Sequence, residues 1–587
     1  MCSGCEPGAT VLARILTSNL DFSNATQLDV VQSENDPDDG GSTIFYNGSI
    51  ITMAGGTFSP VEALAIKGAS ITAAGRLQDV RSLAGDTATM VDLNGQCILP
   101  GFVEPHLHLF LSALTIDYLI PLQPWKITKR SDVLAILKEH VDKVVNNPDK
   151  PDPKWVVAYG YDPSLVEDHD TLNACILDEV SKSVGIFVLN QSGHIAYVNH
   201  RAFEIAGVDD DNQTPGLVKC DGRLTGELLE TRAIQLVATH IPKPDEPTFK
   251  RHSAEKLVEW SAKGCTTVFD AGIGTVNVFG DVPLLAAVTT DQAHPLPLRF
   301  VAAVMEPLTA FPFPDLTTLG DRTPPVCIGN AKVQAIKFWA DGSTQGFTAA
   351  LNEPYYHSHE CGKLNLDTNV LQAQMNKWMK KGWQISIHSN GDHAVDQSLE
   401  CYEAVFNQLP DRKKDIMHRI EHFTVCNPAQ VEKAASLGLG VSHTIGHVYY
   451  WGETFQNWVL GPERAARIDP VKDDVASELV YSFHSDSPLT EPDPLLFVRT
   501  AVTRLKYDSN EVLGGEQCVT LEEALKGVTV NPARQLNLEH RIGTLEEGKS
   551  ADLVILAQDP RTVDPVNLHN IEIRQTWYKG KKVYDNA

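Results

Sequence analysis

From about residue 43 onward, short apolar runs alternate with glycine, asparagine and proline. Residues 44–53, 63–68, 70–75 and 90–95 have the length of strands, and the turn residues between them predict antiparallel β structure. A matching set closes the chain at 551–556, 575–580 and 582–584. The two ends together predict one small β-sandwich from 44–99 and 535–587, which the long middle part interrupts. That middle part alternates apolar strands with amphipathic helical stretches, the pattern of parallel α/β structure. Its candidate strands are 96–103, 266–271, 298–304, 333–339, 384–388, 419–425, 439–444 and 480–484. Eight is the number that closes a (β/α)8 barrel. The first two are about 160 residues apart, far more than one crossover helix needs, so roughly 110–255 reads as an insertion able to cap the barrel. The predicted architecture is therefore an α/β barrel spanning 100–534, with a sandwich built from both chain ends and a large insertion after the first barrel strand.

Composition narrows the partners. The 587 residues carry 49 Lys+Arg against 75 Asp+Glu, a net charge of −26. Such a surface repels phosphate backbones and anionic lipid, so no nucleic-acid partner and no membrane association is expected. No run approaches 18 apolar residues, the length of a spanning helix, and the start of the chain has no charged and apolar leader pattern. Residues 1–43 are polar and acidic, ending in Ser33-Glu-Asn-Asp-Pro-Asp-Asp-Gly-Gly41, and read as an extension with a linker. Eleven cysteines at irregular spacing fit reduced thiols and a cytoplasmic location; Cys2 and Cys5 have metal-like spacing but no second pair. Assembly as a homo-oligomer is left open.

The chemistry lies at the strand ends. Strand one runs into His106-Leu-His108, and side chains two apart on extended backbone point the same way, so both imidazoles can face one ion. Strand four carries Lys337 and ends at Asp341-Gly342, strand five reaches His388, strand six reaches His422, and strand eight runs His484-Ser-Asp486. In a barrel these C-terminal ends meet at one face, and three or more histidines with a carboxylate make a hydrolytic zinc set. His357-Ser-His359 repeats the HxH spacing in loop context and is not expected to touch metal. His443, His447 and His484 fall near the strand ends without an independent reason to be ligands; His447 is retained as a substrate-binding candidate. No phosphate-binding glycine loop occurs, since Gly272-Ile-Gly274 lacks the third glycine.

The order HxH, Lys, His, His, Asp resembles the amidohydrolase superfamily, and the wider sequence resembles its third family, which includes N-substituted formamide deformylases. The likeness is carried by Leu99-Pro-Gly-Phe-Val-Glu-Pro-His-Leu-His108, Ile336-Lys-Phe-Trp-Ala-Asp-Gly-Ser343, Ile387-His-Ser-Asn-Gly-Asp392, Arg419-Ile-Glu-His422, Ser485-Asp-Ser-Pro488 and the tail Thr529-Val-Asn-Pro-Ala-Arg534. It spans about 44–587. The resemblance implies His106, His108, His388, His422 and Asp486 as metal ligands, and a carbamate on Lys337 that bridges two divalent ions, with zinc the expected metal. The competing reading of Lys337 is a plain ammonium paired with Asp341. Glu104-Pro105 stands where aspartate and a small residue are commoner in the family. In the insertion, Tyr159-Gly-Tyr-Asp162 and Ser192-Gly-His194 match family stretches, which makes Tyr161 and His194 pocket candidates, His194 for the substrate carbonyl.

The expected activity is hydrolysis of a small-molecule amide C–N bond by metal-activated water. Asp486 would take the water's proton and return it to the leaving nitrogen. Ring opening of a lactone or cyclic imide, or deamination, is the alternative on the same centre. A non-catalytic binding protein on this fold is the rival from another class.

Overall fold

The computed structural model describes residues 41–586 except 124, 148–151, 168–170, 192, 194, 243, 276–279, 311–316, 411–415, 508 and 510. Nearly all of the N-terminal extension, with Cys2 and Cys5, lies outside the described residues.

Eight parallel strands form the centre: β1 Phe102–Leu107, β2 Cys265–Ile273, β3 Arg299–Met305, β4 Ala331–Trp339, β5 Gln384–Ser389, β6 Arg419–His422, β7 Gly440–His443 and β8 Val480–Phe483. They neighbour one another in chain order, and a short strand, Val326–Ile328, pairs back onto β4. β2 and β3 are buried along their whole lengths, as strands covered on both faces must be, which explains runs such as Arg299-Phe-Val-Ala-Ala-Val-Met305. Several of the helices between strands start where a side chain accepts backbone N–H groups, as at Asp367, Asn427 and Asp493. Pro428–Leu437 opens on an Asn427–Gln430 capping box and stops at Gly438, whose φ of 71° suits glycine.

β8 and β1 are not laddered to each other along their lengths. The barrel closes at its mouth, where the Asp486 N–H donates to His106 O (3.1 Å) and the His108 N–H to Ser487 O (2.9 Å). Barrel closure and the approach of Asp486 to the two histidines are thus one event.

The first barrel strand differs from its sequence reading of 96–103. Cys97–Pro100 belongs to a second sheet, where it pairs antiparallel with Leu553–Leu556, and only from Phe102 does the chain enter the barrel. The switch happens at Gly101, whose N–H donates to Asp552 O while the Phe102 N–H donates to Gly264 O. A continuous apolar run conceals such a crossing; the Pro100-Gly101 pair is its one local sign. The second sheet has eight strands and joins the chain ends by hydrogen bonds. Ser42–Ile51 is long, and its bulge between Tyr46 and Ile50 lets it pair first with Thr89–Asp92 and then with Cys97–Pro100. Phe45, Ile50, Leu64, Ile98, Leu553 and Ile555 share its core.

Between β1 and β2 the chain builds a six-stranded sheet running from Ile120–Pro121 to Arg223–Leu229. It is tied to the barrel loops by Gln191 Nε2 donating to Leu489 O (3.0 Å) and Trp451 Nε1 to Asp162 (3.4 Å).

Gly101 gives a direct test. A Cβ there would lie 2.2 Å from Oγ1 of Thr266, a buried and β-branched neighbour that cannot swing away. Gly101→Ala is expected to destabilise the fold by about 1–3 kcal/mol through overpacking, read as a lower midpoint in thermal or urea unfolding. An unchanged midpoint contradicts the packed sheet switch.

Candidate metal centre

The barrel mouth gathers the strand-end residues into one cavity of about 680 Å³, lined by His106, His108, Lys337, His388, His422 and Asp486. Oδ1 of Asp486 is 3.2 Å from Nε2 of His106 and 3.3 Å from Nε2 of His108, so one carboxylate oxygen faces two imidazole nitrogens. The His422 ring lies 4.9 Å from His106 and 4.3 Å from His388, centroid to centroid. Nε2 of His106, Nδ1 of His108 and Nζ of Lys337 are buried and make no hydrogen bond. Buried polar atoms ordinarily find partners. Two imidazole Nε2 atoms on one carboxylate oxygen, with the Lys337 amine unpartnered in the same cavity, fit a divalent cation.

Local backbone geometry aims these groups. On β6, Arg419 and Glu421 alternate into the barrel, which would turn His422 away. His422 has φ of 72° and Phe423 of 50°, a left-handed turn that redirects the imidazole to the mouth; Asp486 has φ of 57°. Both are costly for side chains with a Cβ. Glu421 accepts from Nδ1 of His106 (2.7 Å), Nη2 of Arg419 (2.9 Å) and Oγ of Ser386 (2.7 Å). Because Glu421 takes the Nδ1 proton of His106, the Nε2 lone pair is left facing the cavity.

Burial sets the charges. It pulls the Lys337 amine down to about 8, against Glu421 and Asp486, which favour the cation. It lowers His388 to about 3, helped by the Lys337 charge, and holds His422 and His484 well below the usual imidazole range. Burial alone would raise Asp486, but the neighbouring imidazoles, His106 first among them, win and keep its carboxyl far below the ordinary value. Glu421 is likewise held down, burial being outweighed by Arg419 and His106. Glu104 goes the other way, up to about 8 through burial, although it accepts the His106 N–H (3.1 Å). Asp341 rises to about 7 by burial; it accepts the N–H groups of Ala350, Asn390 and Gly391, and no ion pair joins it to Lys337 among the described residues.

The sequence model of the amidohydrolase family matches residues 89–584. The chain belongs to the amidohydrolase family. It is 25% identical to an N-substituted formamide deformylase of Arthrobacter pascens over 90% of this chain and 96% of the relative. It is 26% identical to the protein YtcJ of Bacillus subtilis, over 93% and 99% of the two chains. Among solved structures, an uncharacterised metal-dependent hydrolase from Pyrococcus horikoshii superposes with a TM-score of 0.67 at 21% identity, covering 89% of this chain and 99% of that one. That likeness concerns the fold.

Within this amidohydrolase barrel, one pocket expectation changes. Tyr161 does not line the cavity: it is buried in the insertion's own core, its ring 5.7 Å from that of Tyr197. The ladder shifts register between Tyr159 and Tyr161, and Gly160 has φ of 103°, so two residues that regular alternation would put on one face point oppositely. Tyr159 takes the cavity position, together with Gln191 and Leu111. His194 lies outside the described residues. His447 does line the cavity, with Nδ1 3.3 Å from Oγ1 of Thr424. His357 and His359 are exposed and are not among the cavity's lining residues. His443 is enclosed between Asp474 and Asp469 and is raised to about 9: burial opposes the shift, and the two carboxylates outweigh it. Sequence reasoning missed the supporting role of Glu421, 315 positions from the histidine it orients. Its alternation with Arg419 on a strand that ends in a histidine was the available sign.

No helix among the described residues is long and apolar enough to cross a membrane.

Glu421→Gln tests the orientation of His106. It leaves Arg419 buried without its counter-charge, so a loss of about 3–5 kcal/mol in stability is expected, with affinity for an added divalent metal, zinc being the probe, falling about 10–100-fold. Chelator competition and thermal unfolding read the two effects; wild-type zinc binding would contradict the role given to Glu421.

Proposed function

We propose that the protein is a metal-dependent hydrolase of a small-molecule amide C–N bond. The observation that carries this reading is the single oxygen of Asp486 facing both HxH imidazoles beside the unpartnered Lys337 amine. The name of the Arthrobacter relative, a deformylase of N-substituted formamides, supports the C–N bond class. His106, His108, His388, His422 and Asp486 would hold the metal, zinc by the donor set and two ions by the charge balance. Four neutral imidazoles and one carboxylate would leave two divalent ions with about +3. A carbamate on Lys337 supplies a further negative charge and two oxygens: the neutral amine adds to carbon dioxide and releases one proton. Burial of Nζ favours the neutral amine that this step requires.

A divalent ion, when bound, lowers the pKa of water to about 7 and polarises a carbonyl oxygen. The protein's own groups do the rest. Asp486, held ionised by its histidines, accepts the proton of the attacking water and returns it to the leaving nitrogen, which must depart as a neutral amine. His447 is aimed into the cavity by Thr424 and would contact the substrate, and His194 is proposed to contact its carbonyl. Tyr159, Trp339, Leu111 and Leu489 wall the cavity and restrict competing water, and its volume of about 680 Å³ suits a small ligand.

Three outcomes are expected. Lys337→Ala loses activity and at least one metal, and short carboxylates added to the assay restore part of both. Asp486→Asn keeps much of the metal and lowers turnover by a factor on the order of 10²–10⁴. Reactivation of decarbonated, metal-free wild type at fixed dissolved carbon dioxide rises with pH and levels off above about 8, not near 10.4 as for an exposed lysine. Hydrolysis of N-formyl, N-acyl and cyclic amides on metal-replete protein checks the bond class; no turnover across that range contradicts it.

A further inference from the structure

Beyond Lys337, β4 passes into the loop 343–348, whose backbone is closed on itself. The Ser343 N–H donates to Oγ1 of Thr348 (3.0 Å), and the N–H groups of Thr348 and Ala349 both donate to Ser343 O (3.1 Å). The Gly346 N–H donates to Oγ of Ser343 (3.1 Å). The root of the loop lies against the metal centre, with Gly342 O 3.0 Å from Nε2 of His388. On this fixed backbone two side chains, Gln345 and Phe347, line the cavity.

The fold accounts for neither of them. Gln345 is only 6% exposed, and its Oε1 is buried without a hydrogen-bond partner. The other side-chain amides of the cavity are committed to carbonyl oxygens: Nε2 of Gln191 donates to Leu489 O (3.0 Å), Nδ2 of Asn365 to Asp341 O (2.8 Å) and Nδ2 of Asn390 to Gly342 O (2.9 Å). A buried amide left unpaired costs stability, and an apolar side chain of the same length would avoid that cost. Phe347 has φ of 57°, a left-handed backbone that is strained for a side chain with a Cβ, and it is 42% exposed. Its ring lies 5.1 Å from that of Tyr355, whose hydroxyl is spent on Ala349 O (2.8 Å). Two positions of one short loop thus work against the empty protein. A ligand that pairs the amide and covers the ring reverses both.

We infer that the loop 343–348 is the substrate-recognition element of the cavity: Gln345 hydrogen-bonds the amide group of the substrate, and Phe347, backed by Tyr355, covers an apolar substituent attached to it. A glutamine side chain both donates and accepts, so it can pair with an amide presented either way round. The two contacts together select molecules that carry both features. A small polar amide leaves the Phe347 ring bare, and an apolar molecule without an amide leaves Gln345 unpaired. The inference deepens the proposed function and rests on that reading for the amide group, but not for the two unsatisfied side chains that face the cavity.

Two readouts test it on the full chain. Gln345→Met keeps the length of the side chain and removes the unpaired amide, so its thermal unfolding midpoint should equal or exceed that of wild type. A lower midpoint would show that the amide serves the fold, and overturns the inference whether or not the centre hydrolyses any amide. Zinc content should match wild type in Gln345→Met and in Phe347→Ala; loss of zinc from either would place that residue in the metal centre and overturn its assignment to substrate. The second readout is kcat/KM of the zinc-loaded protein for N-methylformamide, N-hexylformamide and N-methylheptanamide, which carry no apolar chain, one on nitrogen and one on the acyl side. Wild type should prefer at least one long amide to the short one by about 10-fold or more. Gln345→Met should lower kcat/KM for that amide about 5–150-fold, and Phe347→Ala should remove most of the preference for the long chain. Wild-type kinetics in either variant, or no preference in wild type, overturns the inference. If wild type turns over none of the three, the amide-hydrolase reading fails on its own account. The same compounds are then compared as ligands by saturation-transfer NMR, where equal binding of long and short amides, or equal binding by wild type and the two variants, overturns the inference.

Discussion

A buried nitrogen without a partner costs about 1–3 kcal/mol; the barrel mouth holds Nε2 of His106 and Nζ of Lys337 in that state, and sets Nε2 of His106 and Nε2 of His108 against one carboxylate oxygen of Asp486. The surrounding structure serves to keep those lone pairs bare. Glu421 takes the Nδ1 proton of His106, and is itself held ionised by Arg419 inside the barrel. Asp341, which could have paired with Lys337, is committed to three backbone N–H groups from the loops after β4 and β5. The Lys337 amine is left in an environment that disfavours its charge. A barrel interior closed to solvent is what makes each of these choices energetically strong, since bulk water does not replace a missing partner.

Backbone strain is concentrated at the same place. His422 and Asp486 both adopt left-handed φ, which the interior tolerates because neighbouring strands fix them: the Phe423 N–H donates to Ser389 O, and the Asp486 N–H to His106 O. The second of these bonds also closes the barrel. Stability of the closed sheet and convergence of the site are therefore coupled, and a loss of either should be felt in the other.

Much of this was readable in the sequence, for a physical reason. Parallel strands buried on both faces leave continuous apolar runs, and the two-residue period of a strand makes His106 and His108 neighbours in space. What escaped reading are departures from that regularity. The chain changes sheets at Gly101 inside an apolar run, so the first barrel strand begins later than its hydrophobicity indicates. The bulge at Gly160 exchanges Tyr161 for Tyr159 at the cavity.

The proposed centre would hold two divalent ions on His106, His108, His388, His422, Asp486 and a carbamate of Lys337. Elemental analysis of the full chain, reloaded with zinc and freed of loosely bound metal, tests it most directly. About two zinc ions per chain are predicted from the charge balance of four imidazoles, one carboxylate and one carbamate. Protein that retains its fold and holds no tightly bound zinc would contradict the account, and a single tight ion would contradict the bridged pair.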